Sequence, residues 1–132
     1  MAYNKKVDSK HLDLLFSSIG WKPRGAKWKE VLEKSSFVCS VWDGARLVGF
    51  GRIVEDGAMC MFYDVLVRPD YQDRGIGSRI MNYLIGKIKD KKYTSIGLFS
   101  WEYNEKSIGF YEKFGFKKVK TGMELVKFMD RV

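Results

Sequence analysis

The sequence predicts an α/β fold: a mixed, mostly antiparallel sheet flanked by helices on both faces. Three observations carry this. Two Asp-Gly pairs, Asp43-Gly44 and Asp56-Gly57, separate the apolar runs FVCSVW, ARLVGFGRIV and AMCMFYDVLV, and such pairs suit the tight turns of a hairpin meander, where positive φ is needed. Bulky residues occupy neighbouring positions in these runs, so both faces of the sheet need cover. Beyond Val67 the order strand, helix, strand implies a crossover to a parallel neighbour.

The elements follow in order. Tyr3 to Val7 reads as a short first strand. Ser9 is the expected N-cap of a helix with Leu12, Leu15, Phe16 and Ile19 at helical spacing and Gly20 as its stop. A second short helix carries Trp28, Val31 and Leu32 on one face, after the loop GWKPRGAKW. The meander comes next. Ile76, Ile80, Met81, Leu84, Ile85 and Ile88 then mark the buried stripe of an amphipathic helix. SIGLFSW reads as another strand, Asn104 caps a helix through Phe114, Gly115 stops it, and FKKV and MELVKFM are expected as a terminal pair of strands.

The chain has 132 residues, 45% hydrophobic and 15% aromatic, enough for one core and without linker, low-complexity tract or repeat. Residues 1–132 are therefore expected to form a single domain. No apolar stretch has the length of a membrane span, and MAYNKKVDSK lacks the apolar core of a signal peptide, so a cytoplasmic protein with no membrane partner is expected. Cys39 and Cys60 sit in strand-like surroundings and read as separate buried thiols. One histidine and two cysteines argue against a metal site. The formal charge of +8 suits a ligand with several phosphates, or another polyanion. The interleaved basic and aromatic pattern of nucleic-acid modules is missing, so no nucleic-acid partner is expected.

The chemistry is concentrated in VRPDYQDRGIGSRI, Val67 to Ile80. A strand runs into a glycine-rich turn and then directly into a helix, whose first N–H groups have no partner within the helix and carry partial positive charge. Gly75 and Gly77 let a phosphate approach the backbone. Gln72 supplies an amide donor and Arg74 a full charge at the rim. This is neither a P-loop, since Ser78-Arg79 follows Gly77, nor a clear dinucleotide fingerprint.

Gln72-x-x-Gly75-x-Gly77 resembles the pyrophosphate-binding motif Gln/Arg-x-x-Gly-x-Gly/Ala of the GCN5-related N-acetyltransferases. A second segment, NEKSIGFYEKFGF from Asn104 to Phe116, is similar to that family's later motif, with Ser107 where alanine is usual. The resemblance covers the element order from about Phe37 to Phe116 and implies the acyl-CoA N-acyltransferase fold with acetyl-CoA as cofactor. Asp73 stands where the family commonly has glycine.

The resemblance also implies site roles. The pantetheine arm would lie along the strand ending at Val67, with Leu66, Val67 and Arg68 acting through backbone atoms and the Leu66 N–H polarising the acetyl carbonyl. The pyrophosphate would meet the N–H groups of Gln72, Asp73, Arg74, Gly75, Ile76, Gly77 and Ser78, and Asn104 would contact the cofactor arm. Tyr111 matches the tyrosine that protonates the leaving thiolate; packing beside Phe110 and Phe114 is its plainer role. Asp64, the acid inside an apolar strand, is either paired with a basic group or works on the amine through water; Glu55 is the substitute. His11 is expected on a solvent-facing surface. By analogy the acceptor pocket lies under the first two helices, with Phe16, Trp21, Trp28 and Tyr63 as lining, although each ring also suits the core. The reading is an acetyl-CoA-dependent N-acetyltransferase acting on a primary amine of a small molecule or peptide by direct attack in a ternary complex. The alternative is a non-catalytic coenzyme A-binding sensor or subunit. The MELVKFM edge can pair with a second copy to give a homodimer.

Overall fold

A computed structural model of the chain describes residues 1–100, 104–119, 123–125, 127 and 129. The chain forms two compact units, Met1–Leu98 and Phe99–Val132. In the first, β1 (Ala2–Tyr3), β2 (Phe37–Asp43), β3 (Arg46–Glu55), β4 (Met59–Val67) and β5 (Ser95–Leu98) form one sheet in that spatial order. The first four strands are antiparallel, and β5 runs parallel to β4, with Met59 to Phe62 opposite Ser95 to Leu98. The crossover between them is α3 (Ile76–Ile88); α1 (Ser9–Ser18) and α2 (Lys27–Lys34) lie between β1 and β2 in sequence. Among the described residues no helix is long and apolar enough to cross a membrane.

Each sheet face has its own packing. Leu12, Leu15, Phe16, Trp28, Trp42, Leu47, Phe50 and Leu66 fill one cluster with α1 and α2. On the other face α3 approaches β3 closely because β3 has no side chains where they meet. A Cβ on Gly51 would sit 2.8 Å from Ile80 Cγ2 and 3.1 Å from Leu84 Cδ1. Gly51 thus lets α3 lie close against β3.

Local details refine the sequence reading. Both hairpins place aspartate before the two-residue loop rather than inside it. Asp43 pairs with Arg46 around Gly44-Ala45, and the Asp56 N–H donates to Met59 O around Gly57-Ala58. Asp56 Oδ1 accepts from the N–H groups of Ala58 and Met59 at 2.9 and 2.8 Å, so only the first loop residue of each turn takes positive φ. The N-cap of α1 is Asp8, whose Oδ1 accepts from His11 N at 2.9 Å, in place of the expected Ser9. His11 is half-buried, its ring edge-on to Trp42 at 4.9 Å between centroids. β1 ends at Tyr3 because Asn4 turns out of the strand at φ 59°.

The second unit holds α4 (Glu105–Glu112), and Gly115 follows at φ 93°. Phe116–Val119, expected as a strand, is irregular. The Phe116 N–H turns back to Tyr111 O at 3.4 Å, and the exposed Lys117 and Lys118 leave this short run no continuous apolar face. Within the second expected strand Met123–Leu125 is irregular, while Val126 and Phe128 lie outside the described residues. Trp101, the aromatic residue in the expected strand SIGLFSW, lies outside them as well.

Candidate active site

The turn before α3 leaves main-chain N–H groups without a side-chain cap. A short 3-10 turn, Pro69–Tyr71, leads to Gln72; Asp73 and Gly75 take φ of 62° and 82°, and Gly75 is the N-cap of α3. No side chain caps α3, so its first-turn N–H groups, including those of Gly77 and Ser78, lack helical partners. A Cβ built at Gly75 meets nothing within 4 Å, and Gln72 to Gly75 are exposed. Glycine at this position takes the left-handed backbone conformation and leaves the turn open. Arg74 packs its guanidinium 5.0 Å from the Tyr71 ring centroid, which fixes a cation at the rim. The Gln72 side chain folds back along the chain: its Nε2 donates to Val67 O at 3.0 Å, tying the turn to the end of β4.

Beside the turn, β4 has a stretch of edge that no described strand of the first unit pairs with. Pairing with β5 ends at Phe62↔Leu98, and within the first unit Tyr63 to Val67 pair only with β3. Here β4 also bulges: Arg52 faces Tyr63 and Phe50 faces Leu66, so Gly51 stands against two residues, Asp64 and Val65. Asp64 sits in the left-handed region at φ 54°.

The ladder corrects the backbone assignment. The Arg68 N–H donates to Val48 O at 2.8 Å. Antiparallel pairs alternate between hydrogen-bonded and non-hydrogen-bonded, so Phe50–Leu66 is again a hydrogen-bonded pair. The main chain of Leu66 and of Arg68 therefore turns toward β3, and the Leu66 N–H is not placed to polarise an acetyl carbonyl. Among these three residues Val67 presents its main chain to that edge.

Asp64 is the centre of a charge cluster that the sequence reading did not resolve. Its Oδ2 accepts from Arg24 Nη1 and Arg52 Nε, each at 2.7 Å, and its Oδ1 from Arg24 Nη2 at 2.9 Å. Burial alone would raise this carboxyl, but the hydrogen bonds and charges of the two guanidiniums outweigh it and hold the pKa below the usual aspartate range. Arg24 comes from the α1–α2 loop, and its own N–H is held by Asp13 Oδ1 at 2.9 Å. Asp13 also accepts from the Gly25 N–H and from Trp28 Nε1, at 3.1 and 2.8 Å. The cue was the isolated Asp64; its partners are distant in sequence and left none.

The aromatic candidates separate by burial. Phe16 and Trp28 are 2% and 0% exposed, packed edge-to-face on each other, and covered by the Arg24 guanidinium. They belong to the core and leave an acceptor almost no exposed surface. Trp21 is 40% exposed, and half-buried Tyr63 lies under Arg52 at 4.9 Å; these two remain available. Neither cysteine suits a nucleophile, since burial raises both thiols, Cys39 to about 11.

In the second unit Asn104 is the N-cap of α4 and accepts from the Ser107 N–H at 3.2 Å. The Tyr111 ring packs against Phe110 and Phe116, and burial pushes its phenol up to about 12, so the hydroxyl keeps its proton at neutral pH.

Comparison with known proteins gives the class. The model of the Acetyltransferase (GNAT) family matches residues 10–116, across both units. The chain belongs to this family and is an acetyltransferase. It is 32% identical to an uncharacterized N-acetyltransferase of Porphyra purpurea, over 94% of this chain and 73% of that protein. A GNAT-family acetyltransferase structure from Streptococcus pneumoniae is similar with a TM-score of 0.79 and 29% identity, covering 99% of this chain and 97% of that one. Arabidopsis thaliana Naa50, solved with the bisubstrate analogue CoA-Ac-MVNAL, shares the fold with a TM-score of 0.74 at 21% identity, covering 90% and 84%.

Proposed function

We propose that residues 1–132 act as one N-acetyltransferase domain that moves the acetyl group of acetyl-CoA to a primary amine of a small molecule or peptide, by direct attack in a ternary complex. One observation carries this reading: the uncapped, open turn at Gly75 adjoins a β4 edge whose outward main chain ends at Val67. When bound, acetyl-CoA supplies an activated acyl group as a thioester. The CoA analogue bound to Naa50 supports that cofactor in this fold.

Each residue then has a physical task. The N–H groups of Ile76, Gly77 and Ser78 hold the diphosphate, with Arg74 adding charge at the rim. Val67 hydrogen-bonds the pantetheine arm as an added strand would. Tyr111, whose phenol keeps its proton, would donate it to the departing sulfur were acetyl-CoA bound within reach. Asn104 is already engaged as a helix cap and needs no ligand. Asp64 serves as an anchor rather than as the base, because a carboxylate held below the aspartate range and already accepting three N–H bonds is a weak proton acceptor. The amine loses its proton to water, and Trp21 and Tyr63 line the acceptor side. The separate buried thiols of Cys39 and Cys60 support a reducing compartment such as the cytoplasm.

A thiol-release assay with acetyl-CoA and a panel of aliphatic amines, arylalkylamines and peptides tests this. The expected result is one free thiol per N-acetylated amine. Coenzyme A binding without thiol release for any amine would favour the non-catalytic sensor instead.

A further inference from the structure

The Arg24–Asp64–Arg52 cluster joins three elements at the one place where β4 leaves regular pairing. An aspartate at φ 54° inside a strand is locally disfavoured, since L residues visit the left-handed region rarely and mostly as single Asn or Asp. At the same residue the carboxylate receives three N–H groups from two arginines. Both guanidiniums are fixed in turn. Arg24 lies 4.5 Å from the Trp28 ring centroid and 5.1 Å from that of Phe16. Arg52 lies over Tyr63 and directs Nη1 toward Ser35 Oγ at 3.3 Å. Asp13 closes the other end by holding the main chain of Arg24 and Gly25. The charged groups gathered here are Asp13 from α1, Arg24 from the loop, Arg52 from β3 and Asp64 from β4.

We propose that this cluster is a positioning clamp: Asp64, drawn by Arg24 and Arg52, fixes the bulged main chain of β4 and docks the α1–α2 loop beside it in the same step. The inference rests on the acetyl-transfer reading for its consequence, but not for its test. An acceptor held by the loop is thereby registered against an acyl group held by the strand, although none of the three side chains is a reacting group. Arg24 matters through the shape of its fork, because a planar guanidinium can hold both carboxylate oxygens and lie flat on a ring, and an ammonium can do neither.

The test uses the full chain with Arg24→Lys and Asp64→Asn, both mild enough to keep the fold; asparagine tolerates the left-handed region. Hydrogen exchange is followed in the α1–α2 loop and in Tyr63–Val67, without any acceptor. The clamp predicts at least threefold faster exchange in both segments for either variant, so that a change at residue 24 is felt 40 residues away. Acceleration confined to the substituted segment would overturn it. With acetyl-CoA and the amine that the panel selects, Arg24→Lys is expected to raise the amine KM at least fivefold with the acetyl-CoA KM unchanged. An ordinary structural ion pair would lower the active fraction and leave both KM values alone, which would also overturn the clamp. Absence of turnover in the unsubstituted protein would refute the enzymatic reading, while the exchange measurement would still decide on the clamp.

Discussion

Asp64 and Tyr111 are opposite cases of what one residue reveals. Asp64 stood out as a charge in an apolar strand, and pairing with a basic group was one of its two expected fates; the structure gives it Arg24 and Arg52. Those partners were invisible because ion pairs between residues 12 and 40 positions apart leave no periodic trace. Tyr111 was legible only through its motif, and its ring contacts within the second unit are those of packing. Its role is separable by experiment: Tyr111→Phe should cut kcat roughly a hundredfold and leave coenzyme A affinity unchanged. Asp64 has a pH signature. Its folded pKa lies below the unfolded value of ~3.9, so the stability it contributes is complete above that pH and is lost as pH falls through the lower folded value. Thermal melts from pH 5 to pH 2 should show a steeper loss for the unsubstituted protein than for Asp64→Asn.

Elements were read well where one local signal sufficed. The stripe from Ile76 to Ile88 appears as α3, with Ile76, Ile80, Met81, Leu84 and Ile88 buried, because helical spacing and a glycine start agree. The meander appears because two-residue turns leave few alternatives. Failures came where an end is decided by competition. Asp8 displaced Ser9 as a cap, and FKKV has too little apolar surface to form a strand of its own. Bulges and ladder phase were illegible, since a single extra residue in β4 alters which amides point outward without changing the apolar pattern. The β3–α3 contact gives a test at this scale. Gly51→Ala forces a methyl against Ile80 and Leu84, and should cost about 1–3 kcal/mol in denaturant unfolding. The helix start must shift with it, so coenzyme A affinity should weaken too. Unchanged stability would mean that α3 sits further from the sheet than described.

A net charge of +8 and an anion turn predict salt-sensitive binding of coenzyme A. The class was readable because the two motifs, in Gln72–Gly77 and Asn104–Phe116, stand in order along one chain, and the family match spans both. The acceptor was not readable, because its pocket depends on how a loop and two rings pack: Phe16 and Trp28 went to the core, and Arg24 covered them. The central physical claim is that main-chain amides at the start of α3 grip a diphosphate. Calorimetry comparing coenzyme A with pantetheine, which has the same thiol arm without phosphates, tests it most directly. The account predicts that coenzyme A binds at least a hundredfold more tightly, with the difference shrinking as salt is raised; equal affinity for the two would contradict it.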